Sequence, residues 1–276
     1  YSLVLVYLIK KQNKTNDEMF ALLTKATDLE QQFQKNAKNT IILFIDLQGS
    51  TQYKTTHTFF ESLRKIITHN TIASNILRKN CGVIIKWLGD GIMARFVEKD
   101  IIKSIKASTE IQRFFSEYNK DKSKDDKIKS KIGISIGHCL EISSMQNMTN
   151  DLMGIPVDTA SRIQTLAKPG QILIDYQLKK KLNILQKDEK KRQKLKNLKI
   201  SFGPAQLRNL RGIGSIKISE IRWDKFLEIR KEENDLTQEQ LATLAEILSK
   251  KNTKKIALSK SHFCKPLLSD EKNRLL

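Results

Sequence analysis

The stretch that most limits what this chain can fold into is IILFID at 41–46, five apolar residues ending on a carboxylate and followed by the polar turn-like QGST. A short, continuous apolar run bounded by turn residues reads as a buried strand running into a loop. Its surroundings repeat the lesson. GVIIKWL (82–88), then GDG, then IMARFV (92–97) reads as a β-hairpin, with Asp-Gly supplying the positive φ of a tight turn. KIGISIG (131–137) is a further strand after the charged loop KDKSKDDK.

Helical periodicity fills the gaps between these strands. Residues 57–79 carry Phe59, Phe60, Leu63, Ile66, Ile67, Ile72 and Ile76 on one broad face, and 99–118 carry Ile101, Ile102, Ile105, Ile111 and Phe114. The order strand, helix, strand, strand, helix, strand is the split βαβ arrangement of a ferredoxin-like sheet, an α+β fold. The strands carrying 41–46 and 82–88 are expected side by side. Beyond the core, 157–167 is a helix ending at KPG, 171–175 a strand, and 211–221 a last strand pair. Residues 177–199 hold ten Lys or Arg against two acids and read as a solvated hairpin or helical arm.

These elements predict three parts: an N-terminal helical segment (1–39, with the helix at 15–38), a domain at 40–222, and a helical tail (223–276) in which Thr237 and Gln240 have capping-box spacing. The 276 residues suffice for a sizeable core. The net charge of 50 − 30 = +20 favours polyanionic partners without choosing among them. Cys81, Cys139 and Cys264 lie far apart with no metal-ligand spacing, which predicts reduced thiols and a cytoplasmic setting. YSLVLVYLI (1–9) is too short to span a bilayer, and a chain opening on Tyr is expected to be incomplete at its N-terminus. His57, His69, His138 and His262 show no catalytic spacing and read as structural or exposed.

Asp46 ends a strand and Asp90 sits in a hairpin turn 44 residues later. Two carboxylates at matching heights could hold divalent metal over a phosphate, with the backbone N–H groups of Gly49, Ser50 and Thr51 facing the polyphosphate. Taken alone, each feature is also what an ordinary turn contains. The set FIDLQGST, KWLGDGIMARF, KIGISIG and GIPVDTASRIQTLAKPGQILI, in this order, resembles the catalytic domain of the class III adenylate and guanylate cyclases, over about residues 40–222.

The resemblance implies a nucleotidyl cyclase, a phosphorus–oxygen lyase, that turns a nucleoside triphosphate into a 3′,5′-cyclic nucleotide. It implies two divalent cations, Mg²⁺ or Mn²⁺, on Asp46, Asp90 and the carbonyl of Leu47. Arg162 falls on the arginine that steadies the α-phosphate, Asp158 on the usual Asn that orients the ribose, and Arg211 on a terminal-phosphate cation. Lys86 and Asp151 fall on the two base-reading positions. Ser50 stands where a Phe is usual. The metal aspartates and the arginine of this family come from opposite subunits, so a homodimer with interfacial sites is implied.

Lys86 donates and an ionised Asp151 accepts, which fits adenine and disfavours guanine. ATP is therefore the favoured substrate. Cytosine shares adenine's pattern, and Tyr53 could fill the space a purine needs. A UTP or CTP cyclase, resembling the pyrimidine cyclases of bacterial anti-phage defence, stays open beside it. From another class, an RNA-binding ferredoxin-like module would suit the charge, although the strands lack its stacking aromatics and no nucleic acid is expected.

Overall fold

The structure, a computed structural model, describes residues 16–143 and 150–223. Helix α1 (Asn16–Asn36) leads into β1 (Lys38–Leu47), and a short α2 (Ser50–Thr56) precedes the long α3 (Phe59–Lys79). Strands β2 (Val83–Trp87) and β3 (Gly91–Val97) form the hairpin, then come α4 (Ile101–Tyr118) and β4 (Ser130–Ser143). The remainder is β5 (Asn150–Met153), α5 (Ile155–Leu166), β6 (Ile172–Asp175), α6 (Tyr176–Leu185) and α7 (Glu189–Asn197). It closes with β7 (Ser201–Phe202) and the pair β8 (Gln206–Leu210) and β9 (Gly214–Arg222).

The sheet runs β2-β3-β1-β4-β6-β9-β7, with β5 added to β4 and β8 to β9. Its first four strands have the ferredoxin-like order, as the periodicity predicts. One expectation is corrected: β1 and β2 are not neighbours. The βαβ crossover leaves a strand-wide gap, and the returning β3 fills it antiparallel to both. The site therefore depends on the β1–β3 register, which sets Asp46 opposite Gly91.

Period-2 alternation divides the strands between two faces. Ile41, Leu43, Ile45 and Leu47 join α3 and α4 in the main core with Ile72, Leu77, Ile105, Ile111 and Phe115. Ile42 and the partly buried Phe44 point the other way, toward Met93, Cys139, Leu152 and Ala160. Asp46 continues that second row. Helix α5 covers the same face along β4. A Cβ on Gly133 would sit 2.3 Å from the Gln164 nitrogen, and one on Gly137 would sit 2.7 Å from the Pro156 ring. The glycines of KIGISIG are thus the floor on which α5 rests. The exposed sheet face that RNA stacking needs is covered there.

Local signals explain where helices start. Thr58 and Glu61 form a reciprocal capping box at α3, which begins at Phe59 rather than 57. QGST is not a simple loop, because α2 begins at Ser50 behind a left-handed Gly49. The basic segment 177–199 folds as α6 and α7, and its Leu178, Leu182, Leu195 and Leu198 enter the main core. It is anchored, with the cations outside. Trp223 donates its indole N–H to the Gly170 carbonyl at 2.8 Å. The stretch 1–9, the tail beyond Trp223 with its capping box, Cys264 and His262 lie outside the described residues. Among the described residues no helix is long and apolar enough to cross a membrane.

Overpacking a well-filled contact typically costs about 1–3 kcal/mol. Gly133→Ala drives a methyl into the α5 backbone, so urea unfolding should show a loss of about 2–3 kcal/mol. Gly137→Ala, which meets only a proline ring, should lose less.

Candidate active site

Asp46 lies between Gly91 on β3 and Lys131 on β4. A Cβ at Gly91 would be 2.8 Å from the Ile45 carbonyl oxygen and 3.4 Å from Asp46 Oδ1, so glycine is needed there for space. The positive φ of the hairpin belongs to Gly89 (φ 77), not to the residue after Asp90 as the Asp-Gly reading expects. Leu88 N–H donates to the Gly91 carbonyl at 2.9 Å, and Leu47 N–H donates to the Asp90 carbonyl at 3.2 Å. The turn therefore delivers Asp90 beside the end of β1. The Ser50 hydroxyl, nearly buried, donates to the Asp90 carboxylate.

Burial first, and the Asp90 charge second, push the Asp46 carboxyl up to about 6, against Lys131 and a hydrogen bond from Gln164. The strand end is short of positive charge. Among the described residues no cluster of three or more His, Cys, Asp or Glu forms a closed metal cage. Two carboxylates and a backbone carbonyl are hard oxygen donors of the kind Mg²⁺ and Mn²⁺ take, leaving positions for substrate oxygens. The residues fit a divalent cation.

Lys86 and Asp151 meet directly, with Nζ 2.8 Å from Asp151 Oδ2 and 2.9 Å from Oδ1. The Lys86 hydrogen bond, with the Leu152 backbone N–H behind it, holds the Asp151 carboxyl below its ordinary range. The pair is open to solvent, the two side chains being 43% and 52% exposed. A β-bulge sets the geometry. Ile84 pairs with Ala94 and Lys86 with Met93, so Ile85 is the extra residue. Ile85 and Lys86 consequently share the α5 face, which strict alternation would forbid. Sequence periodicity carries no sign of this.

Helix α5 presents two different sides. Gln164 bonds Asp46. Arg162, two residues earlier, is turned about 200° around the helix, and its Nη2 would lie 3.6 Å from a Cβ on Gly212. Gly212 follows Arg211, which is exposed in the β8–β9 turn. Arg162 Nε is buried with no hydrogen-bond partner among the described residues. Asp158 is exposed one turn earlier, in the first turn of α5. The chain thus brings Asp46 together with Asp90, Lys86 with Asp151, and Arg162 with the Arg211 turn. Gln164 is the contact that sequence reading missed.

Tyr53 packs within its own corner of the fold. Its ring stacks on His57 at 3.7 Å with Lys65 4.0 Å above it, a cluster of α2 and α3. Cys139 is buried, with its thiol pushed up to about 11 by burial, and Cys81 is half-buried.

A family model described as the adenylate and guanylate cyclase catalytic domain matches residues 33–208. The chain belongs to that family, the class III nucleotidyl cyclases, which are lyases and generally use divalent metals. Its fold is similar to the adenylyl cyclase CyaB from P. aeruginosa, at 17% identity over 70% of this chain and 98% of that one (TM-score 0.53). It is also similar to an adenylate/guanylate cyclase/hydrolase from Silicibacter pomeroyi, at 21% identity over 68% and 98% (TM-score 0.53). A third is the guanylate cyclase domain of RhGC from Catenaria anguillulae in complex with GTP, at 17% over 68% and 98% (TM-score 0.52). No curated protein matches this chain significantly.

His69 provides a pH test of the site's floor. It is fully buried, and desolvation lowers its pKa from 6.5 to about 4. The unfolded chain therefore binds a proton that the folded one refuses. That contribution is complete above pH 6.5 and is lost as pH falls toward 4. Over that window wild type should lose about 3 kcal/mol of unfolding free energy from this group, and His69→Gln should show a flatter profile in urea melts at stepped pH.

Proposed function

We propose that this chain is a nucleotidyl cyclase acting on ATP, releasing 3′,5′-cyclic AMP and pyrophosphate. The observation that carries the reading is the pair of carboxylates at the end of β1, with Asp46 raised by burial and by Asp90. Asp46, Asp90 and the Leu47 carbonyl would hold divalent cation. Bound there, the metal supplies positive charge that acidifies the 3′-hydroxyl and offsets the pyrophosphate.

The protein's own groups do the rest. The 3′-oxygen attacks the α-phosphorus in line, its proton passes to solvent, and the bond to the β-phosphate oxygen breaks. Arg162, whose Nε has no hydrogen-bond partner among the described residues, meets the charge that builds on the α-phosphate. Arg211 in its exposed turn holds the terminal phosphates, and Asp158 in α5 orients the ribose in place of the family's Asn. The first turn of α2, with Gly49, Ser50 and Thr51, offers backbone N–H groups to the polyphosphate.

The base assignment follows from Lys86 and Asp151. Lys86 donates to the adenine ring nitrogen, and Asp151, kept ionised by Lys86, accepts from the 6-amino group. Stacked on His57 under Lys65, Tyr53 lends no support to a pyrimidine pocket.

A homodimer is part of the reading. Gln164 binds Asp46 within one chain while Arg162 faces away, so a complete site draws the two from different protomers. Met153 (60% exposed) and Ile155 (73% exposed) stand uncovered where β5 enters α5, as an interface would use them.

Incubation with ATP, GTP, CTP and UTP separately, in Mn²⁺ and then Mg²⁺, tests the activity. Mass-resolved chromatography should find cyclic AMP as the main product, lowered at least about 100-fold by Asp46→Ala. Asp151→Ala should cut the ATP-over-GTP preference in kcat/KM roughly tenfold. Cyclic CMP or UMP as the main product would replace the adenine assignment. No cyclic product from an intact dimer would remove the cyclase reading.

A further inference from the structure

Beneath the two carboxylates lies a buried polar chain that the mechanism does not use. His69 and Asn70 sit side by side near the middle of α3, 0% and 5% exposed, on the face turned toward the sheet. Asn70 Nδ2 lies 2.9 Å from the Gly89 carbonyl oxygen. That carbonyl can only accept, so the amide nitrogen faces it and Oδ1 faces the histidine. His69 Nδ1 is 2.9 Å from Asn70 Oδ1 and therefore carries the proton. Its Nε2, 2.8 Å from Ser130 Oγ, is then the acceptor of the serine hydroxyl. The hydrogen bonds run one way: Ser130 to His69 to Asn70 to Gly89.

Both ends of this chain lie at the proposed metal site. Ser130 is the cross-strand partner of Leu47. Gly89 is the left-handed residue immediately before Asp90. The turn between β2 and β3 leaves the Gly89 carbonyl outside the strand ladder, and Asn70 is the group that fixes it. His69 is held in turn by stacking on Phe115, ring centroids 5.4 Å apart. A polar chain of this kind is costly to bury unless every member is satisfied, and each of these is.

We propose that Asn70, oriented by His69 and Ser130, is a positioning residue for metal binding: its amide clamps the Gly89 carbonyl and so fixes the direction in which Asp90 presents its carboxylate to a divalent cation. The inference rests on the assignment of Asp46 and Asp90 as metal ligands. It assigns Asn70 no contact with substrate or metal. Groups that orient a metal's ligands without touching the metal typically govern about 10–100-fold in affinity.

The test is Mn²⁺ binding to the purified 276-residue chain without nucleotide, followed by the electron paramagnetic resonance of free Mn²⁺. Asn70→Ala should weaken Mn²⁺ binding about tenfold, and Ser130→Ala, at the far end of the chain, by about threefold. Asn80→Ala is the control. Asn80 is as buried as Asn70 and bonds the Ile76 carbonyl and Glu110 instead, so its loss should lower stability and leave Mn²⁺ affinity unchanged. If Asn70→Ala cannot be purified folded, Ser130→Ala against Asn80→Ala decides. Wild-type affinity in the Asn70 and Ser130 variants, or an equal loss in the Asn80 variant, would overturn the positioning role. Asp90→Asn separates the layers: weaker binding there with no effect of Asn70 sinks this inference alone. Unchanged binding in Asp90→Asn sinks the metal assignment with it.

Discussion

Everything at this site follows from placing two carboxylates at the end of one buried strand. Asp46 ends the apolar run of β1 and faces α5, and the returning hairpin brings Asp90 beside it. In that half-buried position desolvation first, and the like charge of Asp90 second, push the Asp46 carboxyl up to about 6. Lys131 and Gln164 offset the repulsion only in part. The fold maintains the arrangement with the core of Ile41, Leu43, Ile45 and Leu47 beneath it, and with a glycine at 91 where any side chain would collide with β1. A strand end held in that state suits the proposed role of binding a divalent cation.

The second constraint is the close seat of α5. Glycines 133 and 137 let the helix backbone approach β4 more closely than a side chain would permit. One side of the helix then reaches Asp46 through Gln164, while the other carries Arg162 to the β8–β9 turn. A single helix cannot aim both at one point. The proposed composition across two protomers would resolve that geometry and would give the exposed apolar residues at the start of α5 a role.

Much of this was legible in the sequence because it depends on local pattern. IILFID, the Asp-Gly hairpin and the helical stripes give the order of elements, and the spacing of Asp46 and Asp90 gives a candidate metal pair. What could not be read depends on nonlocal register. That β3 rather than β2 lies against β1 follows from sheet topology. The bulge at Ile85, which turns Lys86 toward Asp151, interrupts the alternation that strand reading relies on. The packing of Tyr53 against His57 and Lys65 depends on how α2 and α3 meet, which its place in the sequence does not show. His69 and Asn70 gave no signal at all, since a polar pair on an amphipathic helix is ordinary until its partners are known.

In the proposed composite site, one protomer's carboxylates work with the other's arginine. Subunit mixing tests it most directly. Asp46→Ala and Arg162→Ala are each purified as inactive dimers, then exchanged and assayed for cyclic nucleotide. Random pairing makes half the dimers mixed, each with one intact site, so roughly a quarter of wild-type activity should return. Mixed dimers that form and stay inactive would contradict the account.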